Sequence, residues 1–307
     1  MSNNASYALL RPRIALPFVL VALIWGSTWL VIKDQLDAAP PGWSVTWRFG
    51  LAAMGMAGLT WWRGGSLRIG AQGQKLAALI GLAQFCLNFN FVYRAELYIT
   101  SGLVAVLFGL LMVPNALLGR IVLGTPITRR FVAGTCVALV GIAMMLVHEA
   151  RMAPLASSVW PGIMLALCGL LCAAFANIVQ ATPAARKQDM FALLTWAMLW
   201  GMAGDVALAW FLSGPPVFPA DPRYWAGVAY LAFIGSVITF PLYFMLIREI
   251  GPGRAAYNGV LVPVIAMILS TLFENYQWSL LAVSGGALGL AGMAIALRAR
   301  NPVSKSG

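Results

Sequence analysis

The feature that most constrains this chain is a succession of ten long apolar runs separated by short polar turns. Most runs hold about 20 residues, the length of an α-helix that crosses the hydrocarbon core of a bilayer. Backbone polar groups cannot stay unpaired in lipid, so each run must form a helix; the runs are also about twice as long as the strands of a membrane barrel. The predicted ranges are 14–33, 43–62, 76–93, 97–118, 130–147, 160–181, 191–213, 224–246, 255–273 and 279–298.

The charges support this all-α, polytopic membrane architecture. Only 9% of the residues are charged and 61% are hydrophobic, whereas a soluble domain carries about 25% charged residues. The net charge of +11 arises mainly between the runs. Fifteen Lys and Arg residues fall on one side of the predicted membrane and four on the other, which places both termini in the cytoplasm. We therefore interpret the basic residues as topology signals that contact lipid headgroups, and not as a nucleic-acid groove.

An internal repeat relates the two halves of the sequence. The fifth predicted helix contains a glycine-rich segment, 134–143, and the tenth contains a similar segment, 285–294, at an offset of 151 residues. Pro114 and Pro263 correspond in the same way, each inside the fourth helix of its half. The chain is thus expected to be a duplication of a five-helix unit.

The two units are predicted to span residues 14–148 and 160–299. A short cytoplasmic segment, 1–13, precedes them and a cytoplasmic tail, 300–307, follows. Because five is an odd number, the second unit enters the membrane from the opposite side. Such inverted repeats are typical of secondary transporters, whose substrate sites lie near the bilayer midplane between the halves.

Short motifs add a resemblance to a known family. The first helix carries Trp25-Gly26-Ser27-Thr28, and the second carries Arg48 within a Trp-Arg-Phe-Gly segment. Together with the glycine-rich fifth and tenth helices, these resemble the EamA-domain branch of the drug/metabolite transporter superfamily. Within that branch the chain looks most like the aromatic amino-acid exporters of bacterial inner membranes. The resemblance implies ten helices around a central cavity, peripheral fifth and tenth helices, and export by alternating access.

Polar side chains within the runs are the candidates for substrate binding, because polar groups at membrane depth are costly. Gln84 and Asn88 lie four residues apart on one face of the third helix. They can hydrogen-bond a substrate or bridge neighbouring helices. Asn177 in the sixth helix is a further cavity candidate, and Tyr257 and Asn258 begin the ninth helix, where a gating role and a binding role both remain open.

Two charged residues lie inside predicted helices. Asp205 is near the middle of the seventh helix and is either a proton-coupling group or a structural hydrogen-bond partner. Arg48 is about one turn deep in the second helix, where it can snorkel, pair structurally or attract a carboxylate.

Aromatic residues and prolines complete the candidate site. Trp25 and Trp200 are predicted near the midplane, away from the interfacial belt, and Tyr243 marks a bend in the eighth helix. If they face a cavity, such rings favour flat, apolar substrates; if not, they face lipid. Further rings occur at positions 85, 89, 91, 108, 175 and 244. The predicted cavity-lining or hinge prolines are Pro114, Pro241 and Pro263.

The sequence also excludes several chemistries. It has no phosphate-binding Walker loop, no hydrolase nucleophile motif and no Cys/His cluster, so neither a cofactor, a metal nor catalytic residues are expected. We therefore predict a multi-pass inner-membrane exporter of small metabolites, most closely fitting aromatic or apolar amino acids. The alternatives are a transporter of drugs, nucleosides or other metabolites, a passive channel, and an intramembrane enzyme that modifies lipid.

Overall fold

The computed structural model describes residues 12–152, 159–273 and 278–297, and all regular structure within them is helical. Ten long helices follow one another along these ranges. They are α1 Pro12–Leu36, α2 Pro41–Trp62, α3 Gly70–Ala95, α4 Ser101–Leu123, α5 Arg129–Met152, α6 Val159–Ala181, α7 Met190–Ser213, α8 Pro222–Ile250, α9 Asn258–Phe273 and α10 Leu280–Leu297. A helical turn, Pro252–Ala255, leads into α9.

Within the described ranges, nine helices are long and apolar enough to cross a membrane, and α2 is the one that is not among them. Serine, threonine and arginine side chains lower the hydropathy of α2, although it has 22 residues. The all-helical, multi-pass fold predicted from the sequence is confirmed. The span formed by α2, and therefore the total of ten, stays a prediction.

Some helices are longer than the apolar runs that predicted them. α3 begins at Gly70 and not near 76, and α4 ends at Leu123 and not near 118. The first turn of α3 is polar, so an apolar run omits it. α4 starts only at Ser101 because the Thr100 side chain accepts a hydrogen bond from the Leu103 amide and fixes the N-terminus there.

Three helices depart from α-helical geometry inside the membrane region. α3 contains a π-helical segment, Gly81–Asn88, and α8 contains another, Phe233–Ile238. α4 contains a 3₁₀ segment, Gly109–Leu111. Pro114 and Pro241 follow two of these segments by three residues, and each lacks the amide hydrogen that a regular helix requires. The π segment of α3 has no adjacent proline, so its cause lies elsewhere.

Helix packing repeats between the two halves. α1 packs on α9 as α6 packs on α4, and α1 packs on α8 as α6 packs on α3. Likewise α2 contacts α8 as α7 contacts α3, whereas α2 and α7 pack on each other across the pseudo-symmetry. The π segments of α3 and α8 occupy equivalent places in this scheme. The predicted two-repeat organisation is therefore confirmed.

α5 and α10 form a pair of their own, in very close contact. A Cβ atom built on Gly141 would lie 2.5 Å from the Gly285 carbonyl oxygen and 2.5 Å from the Gly289 nitrogen. Only glycine permits this approach of two helix backbones, as is common in membrane helix pairs.

The predicted direction of the second repeat and the cytoplasmic location of both termini stay predictions. Residues 1–11 and 298–307, which contain most of the predicted terminal segments, lie outside the described residues.

Candidate functional site

A central cavity lies between seven helices, α1, α2, α3, α4, α6, α8 and α9, with an empty volume of about 700 Å³. Both repeats contribute to it, whereas α5, α7 and α10 do not. Its lining residues are Trp25, Thr28, Trp29, Arg48, Gln84, Asn88, Phe89, Val92, Phe108, Leu111, Ala173, Asn177, Phe240, Tyr243, Gly259 and Val262. A largely apolar lining supplied with a few polar groups is typical of small-molecule sites.

Aromatic rings form much of the cavity wall. The ring of Trp25 lies 4.8 Å from that of Tyr243 and 5.6 Å from that of Phe240, measured between centroids. On another part of the wall, the Trp29 and Phe108 rings are 5.9 Å apart in an edge-to-face arrangement. These separations are those of favourable aromatic pairs. The wall therefore suits a flat or apolar side chain, and its ring faces attract cations.

The π segment of α8 holds Trp25 in place. A π-helical turn frees backbone carbonyl groups from regular helical bonding. The Trp25 Nε1–H group donates to the Gly235 carbonyl oxygen at 3.3 Å and to the Thr239 hydroxyl at 3.1 Å. The Thr239 hydroxyl in turn donates to the same carbonyl oxygen at 2.6 Å. Two helices from different repeats are thus joined behind the cavity wall.

The same segment positions Arg48, which is 1% exposed. Its Nε–H donates to the Ser236 hydroxyl at 3.2 Å, and that hydroxyl donates to the Leu231 carbonyl oxygen at 2.8 Å. The guanidinium carbon lies 4.4 Å from the centroid of the Phe89 ring, a cation–π contact. The guanidinium is therefore held by neutral groups.

Three amide side chains supply polarity on the other side of the cavity. Asn88 Nδ2 donates to the carbonyl oxygen of Gln84 at 3.3 Å, four residues earlier in the same π-helical segment. Asn177 Nδ2 donates to the Tyr243 hydroxyl at 3.5 Å, a long hydrogen bond. Among the residues that the structure describes, the side-chain oxygens of Asn88 and Asn177 are buried and have no hydrogen-bond partner. Buried polar atoms are usually paired, and an unpaired one at the wall of a cavity is available to a ligand, a water molecule or an ion.

The structure thus brings six of the predicted site residues to one cavity, together with two of the further rings, Phe89 and Phe108. The six are Trp25, Arg48, Gln84, Asn88, Asn177 and Tyr243. It also places there several side chains that the sequence reasoning did not single out. Thr28 belongs to the motif of the first helix, Trp29 is one turn after Trp25, and Phe240 is three residues before Tyr243. Their helical spacing from predicted residues was the signal for finding them.

Other predicted residues lie away from this cavity. Trp200 is 42% exposed on the outside of the helix bundle, where its Nε1–H donates to Gln74 at 3.0 Å. Asp205 is fully buried, and its carboxylate accepts a hydrogen bond from Asn90 Nδ2 at 2.7 Å, joining α7 to α3. Within the described ranges the second carboxylate oxygen of Asp205 has no hydrogen-bond partner, although the Cys86 thiol interacts with the carboxylate.

Tyr257 and Asn258 are buried beside the lining residue Gly259 but do not line the cavity. The Tyr257 hydroxyl is 2.6 Å from that of Thr135 in α5, and Asn258 Nδ2 donates to the Phe18 carbonyl oxygen at 2.6 Å. These bonds connect the start of α9 to α5 and α1.

The three predicted hinge prolines are not among the residues that line the cavity. Pro114 and Pro241 follow the irregular segments of α4 and α8, and Pro263 lies within α9 next to the lining residue Val262.

A second cavity of about 450 Å³ lies between α4, the start of α5 and the helical turn Pro252–Ala255. Asn115 and Arg254 line it, and Asn115 Nδ2 donates to the Pro252 carbonyl oxygen at 3.2 Å. It lacks the ring pairs of the central cavity. Among the described residues, no group of three His, Cys, Asp or Glu side chains is placed to hold a metal ion.

Comparison with known proteins places this geometry in a family. Residues 13–147 and 160–298 each match the EamA-like transporter family. Protein PagO of Salmonella typhimurium (strain LT2) is 26% identical over 270 residues, which cover 87% of this chain and 86% of PagO. The inner membrane transporter YedA of Escherichia coli (strain K12) is 26% identical over 280 residues, covering 85% and 84% of the two chains.

A probable amino-acid metabolite efflux pump of Salmonella typhimurium is 23% identical over 293 residues, covering 90% of this chain and 92% of the pump. A crystal structure with 20% sequence identity superposes with a TM-score of 0.74, covering 93% of this chain and 96% of the other. That structural likeness supports the fold. Because the family matches both repeats, this multi-pass membrane protein belongs to the EamA-like transporter family.

Proposed function

We propose that this transporter exports amino acids with aromatic or apolar side chains across the bacterial inner membrane by alternating access. The observation that carries the proposal is the combination of ring walls and unpartnered amide oxygens in one cavity. Two relatives support it: one is named an inner membrane transporter and another a probable amino-acid metabolite efflux pump.

The cavity offers a complementary surface for most of an amino acid. The side chain fits against the rings of Trp25, Tyr243 and Phe240, which favour flat or apolar groups. The ammonium group fits the side-chain oxygens of Asn88 and Asn177, because these acceptors receive no hydrogen bond from the described part of the chain. Each contact belongs to a different pair of helices, so closure around a substrate links both repeats.

In inverted-repeat transporters, one repeat moves against the other around a fixed site, and helices that can bend near the site assist this movement. Pro114, Pro241 and Pro263 interrupt α4, α8 and α9, all of which contribute to the cavity. We assign the hinges to these helices, while α5 and α10 form a rigid pair at the periphery. Substrate is then exposed to each side of the membrane in turn, around a fixed central site.

Liposomes that contain the purified protein test the proposal directly. Uptake of labelled phenylalanine, tryptophan and threonine is measured with and without a pH gradient. We expect saturable uptake of the aromatic amino acids that exceeds uptake of threonine, and Trp25→Ala is expected to abolish the difference. Trp210→Ala is the matched control, because Trp210 is 58% exposed on the outside of the bundle.

The outcomes separate the rival functions. No uptake above that of empty liposomes refutes amino-acid export and directs the assay to nucleosides and drugs. Fluxes far above transporter turnover indicate a channel, and conversion of lipid by the pure protein indicates an enzyme.

A further inference from the structure

The central cavity contains one charged side chain among its lining residues, and it is a cation. Arg48 is 1% exposed, and its buried Nη1 atom has no hydrogen-bond partner among the residues that the structure describes. No acidic side chain lines the cavity, and no salt bridge of Arg48 is found within the described part of the chain. The positive charge is therefore not neutralised by the protein around it.

The groups that do contact Arg48 are all uncharged. Among the described residues they are the Ser236 hydroxyl and the rings of Phe89 and Phe49. The Tyr93 hydroxyl also interacts electrostatically with the guanidinium. Tyr93 donates its own proton to Gln35 Oε1 at 3.3 Å, so it meets the guanidinium as an acceptor. An unpaired charge at membrane depth is costly and usually marks a functional site. A transported anion would supply the missing counter-charge.

A second donor in the same cavity is also unused. Trp29 lines the cavity, and no described residue accepts a hydrogen bond from its buried Nε1–H group. By contrast, the neighbouring Trp25 uses its Nε1–H group twice within the protein. Indole and guanidinium nitrogens can only donate, so both unpartnered groups require an acceptor. A carboxylate offers two acceptor oxygens and a negative charge.

From these two observations we infer that Arg48 and Trp29 form a carboxylate subsite. A free carboxylate is then the required feature of the transported molecule, and its ammonium group is dispensable. Aromatic organic acids are substrates or competitors under this inference, whereas aromatic amines are not. The inference deepens the proposed function and rests on it, because both require that the central cavity holds the transported molecule.

Four ligands with the same phenyl group test this specificity. They are phenylalanine, 3-phenylpropionate, which lacks the amine, phenethylamine, which lacks the carboxylate, and phenylalaninol, which replaces the carboxylate with an alcohol. Binding to the full-length protein in detergent is measured by calorimetry, and competition is measured against labelled phenylalanine in liposomes. We expect phenylpropionate to bind and compete, and phenethylamine and phenylalaninol to bind at least about tenfold more weakly, since a hydrogen bond to a charged group is lost.

Variants assign the effect to the two residues. Arg48→Met is expected to weaken binding of phenylpropionate by about 10- to 100-fold, with a smaller loss for Arg48→Lys and for Trp29→Phe. Binding of phenethylamine should stay as weak as before. Arg120→Met, at an exposed arginine of α4, and Trp210→Phe are the matched controls.

Each result decides between distinct failures. If phenylalanine is not transported but phenylpropionate binds in an Arg48-dependent way, the amino-acid proposal fails and the carboxylate subsite stands. If phenylalanine is transported and phenethylamine competes as well as phenylpropionate, the subsite is refuted and the proposed function stands. The ligand series on the unmodified protein decides the question even if Arg48→Met does not fold.

Discussion

The close pairing of α5 and α10 makes Gly141 the position where a single added methyl group should be most visible. In Gly141→Ala, the new Cβ atom would stand 2.5 Å from two backbone atoms of α10 and 3.0 Å from the Gly289 Cα. Ordinary van der Waals contacts of a Cβ atom begin near 3.4 Å. Backbone atoms cannot rotate away as side chains can, so the two helices must separate by about 1 Å, as overpacking of a tight interface demands.

That separation has a calculable cost. Overpacking of a tight interface typically destabilises a protein by about 1–3 kcal/mol, and contacts along the rest of α5 and α10 weaken as the helices part. The cavity is not lined by either helix. For Gly141→Ala we therefore expect the unfolding free energy to fall by about 1–3 kcal/mol. The Michaelis constant for transport should stay unchanged within about twofold.

Denaturation of the purified protein with sodium dodecyl sulfate in mixed micelles measures this change. Gly58→Ala is the control, because nothing lies within 4 Å of a Cβ atom at Gly58 in α2. There the substitution should be neutral or stabilising, by up to about 1 kcal/mol from helix propensity. Equal stability of the Gly141 and Gly58 variants would refute the packing argument, and a large change in transport affinity would refute the peripheral role of the pair.

Three further predictions concern buried polar groups. Asp205→Asn keeps an acceptor for Asn90 and should leave substrate affinity unchanged. Asp205→Leu removes that acceptor and should lower the unfolding free energy by about 1–3 kcal/mol. Loss of the stimulation of transport by a pH gradient in Asp205→Asn would instead reveal a coupling role. Trp25→Phe removes two hydrogen bonds to α8, and transport assays should show a rise in the Michaelis constant of about 2- to 10-fold. Burial raises the pKa of Glu96, at the end of α3, well above its ordinary value, and Lys33 partly opposes the shift. The unfolded chain therefore loses this proton more readily than the folded protein does. The melting temperature should fall as the pH rises above about 4.3, the pKa of an unperturbed glutamate. Glu96→Gln should flatten that dependence, and an unchanged pH profile would contradict it.

The helices of this fold were predictable because lipid leaves the backbone few alternatives. The repeat was predictable as well, since glycines at 134–143 and 285–294 preserve the contact between α5 and α10. The π segment of α3 was not predictable, because no proline or other local signal marks residues 81–88. Such a segment depends on tertiary contacts that a hydropathy pattern does not contain.

The candidate site was predictable in composition and less so in position. Asn88 and Asn177 were identifiable because amides at membrane depth are costly, and both line the central cavity. Tryptophans were ambiguous, since a ring faces lipid or a cavity at similar cost. Trp25 and Trp200 have the same predicted depth, yet one lines the cavity and the other lies outside the bundle. The rotation of each helix about its axis decides which side chains face the cavity. Because lipid and the interior of the bundle are both apolar, the sequence carries no signal for that rotation.

The two π-helical segments also affect how this transporter can change through evolution. A π-helical turn takes in about one residue more than an α-helical turn, so each segment acts as a single-residue insertion that the helix has absorbed. Deleting one residue from 81–88 or 233–238 therefore restores a regular helix while the residues before and after the segment keep their faces. The side chains that move are those of the segment itself, among them Gln84 and Asn88 of the cavity wall. Loss of a single codon within 81–88 is thus expected to change the polar lining of the cavity and to leave the surrounding helix packing in place.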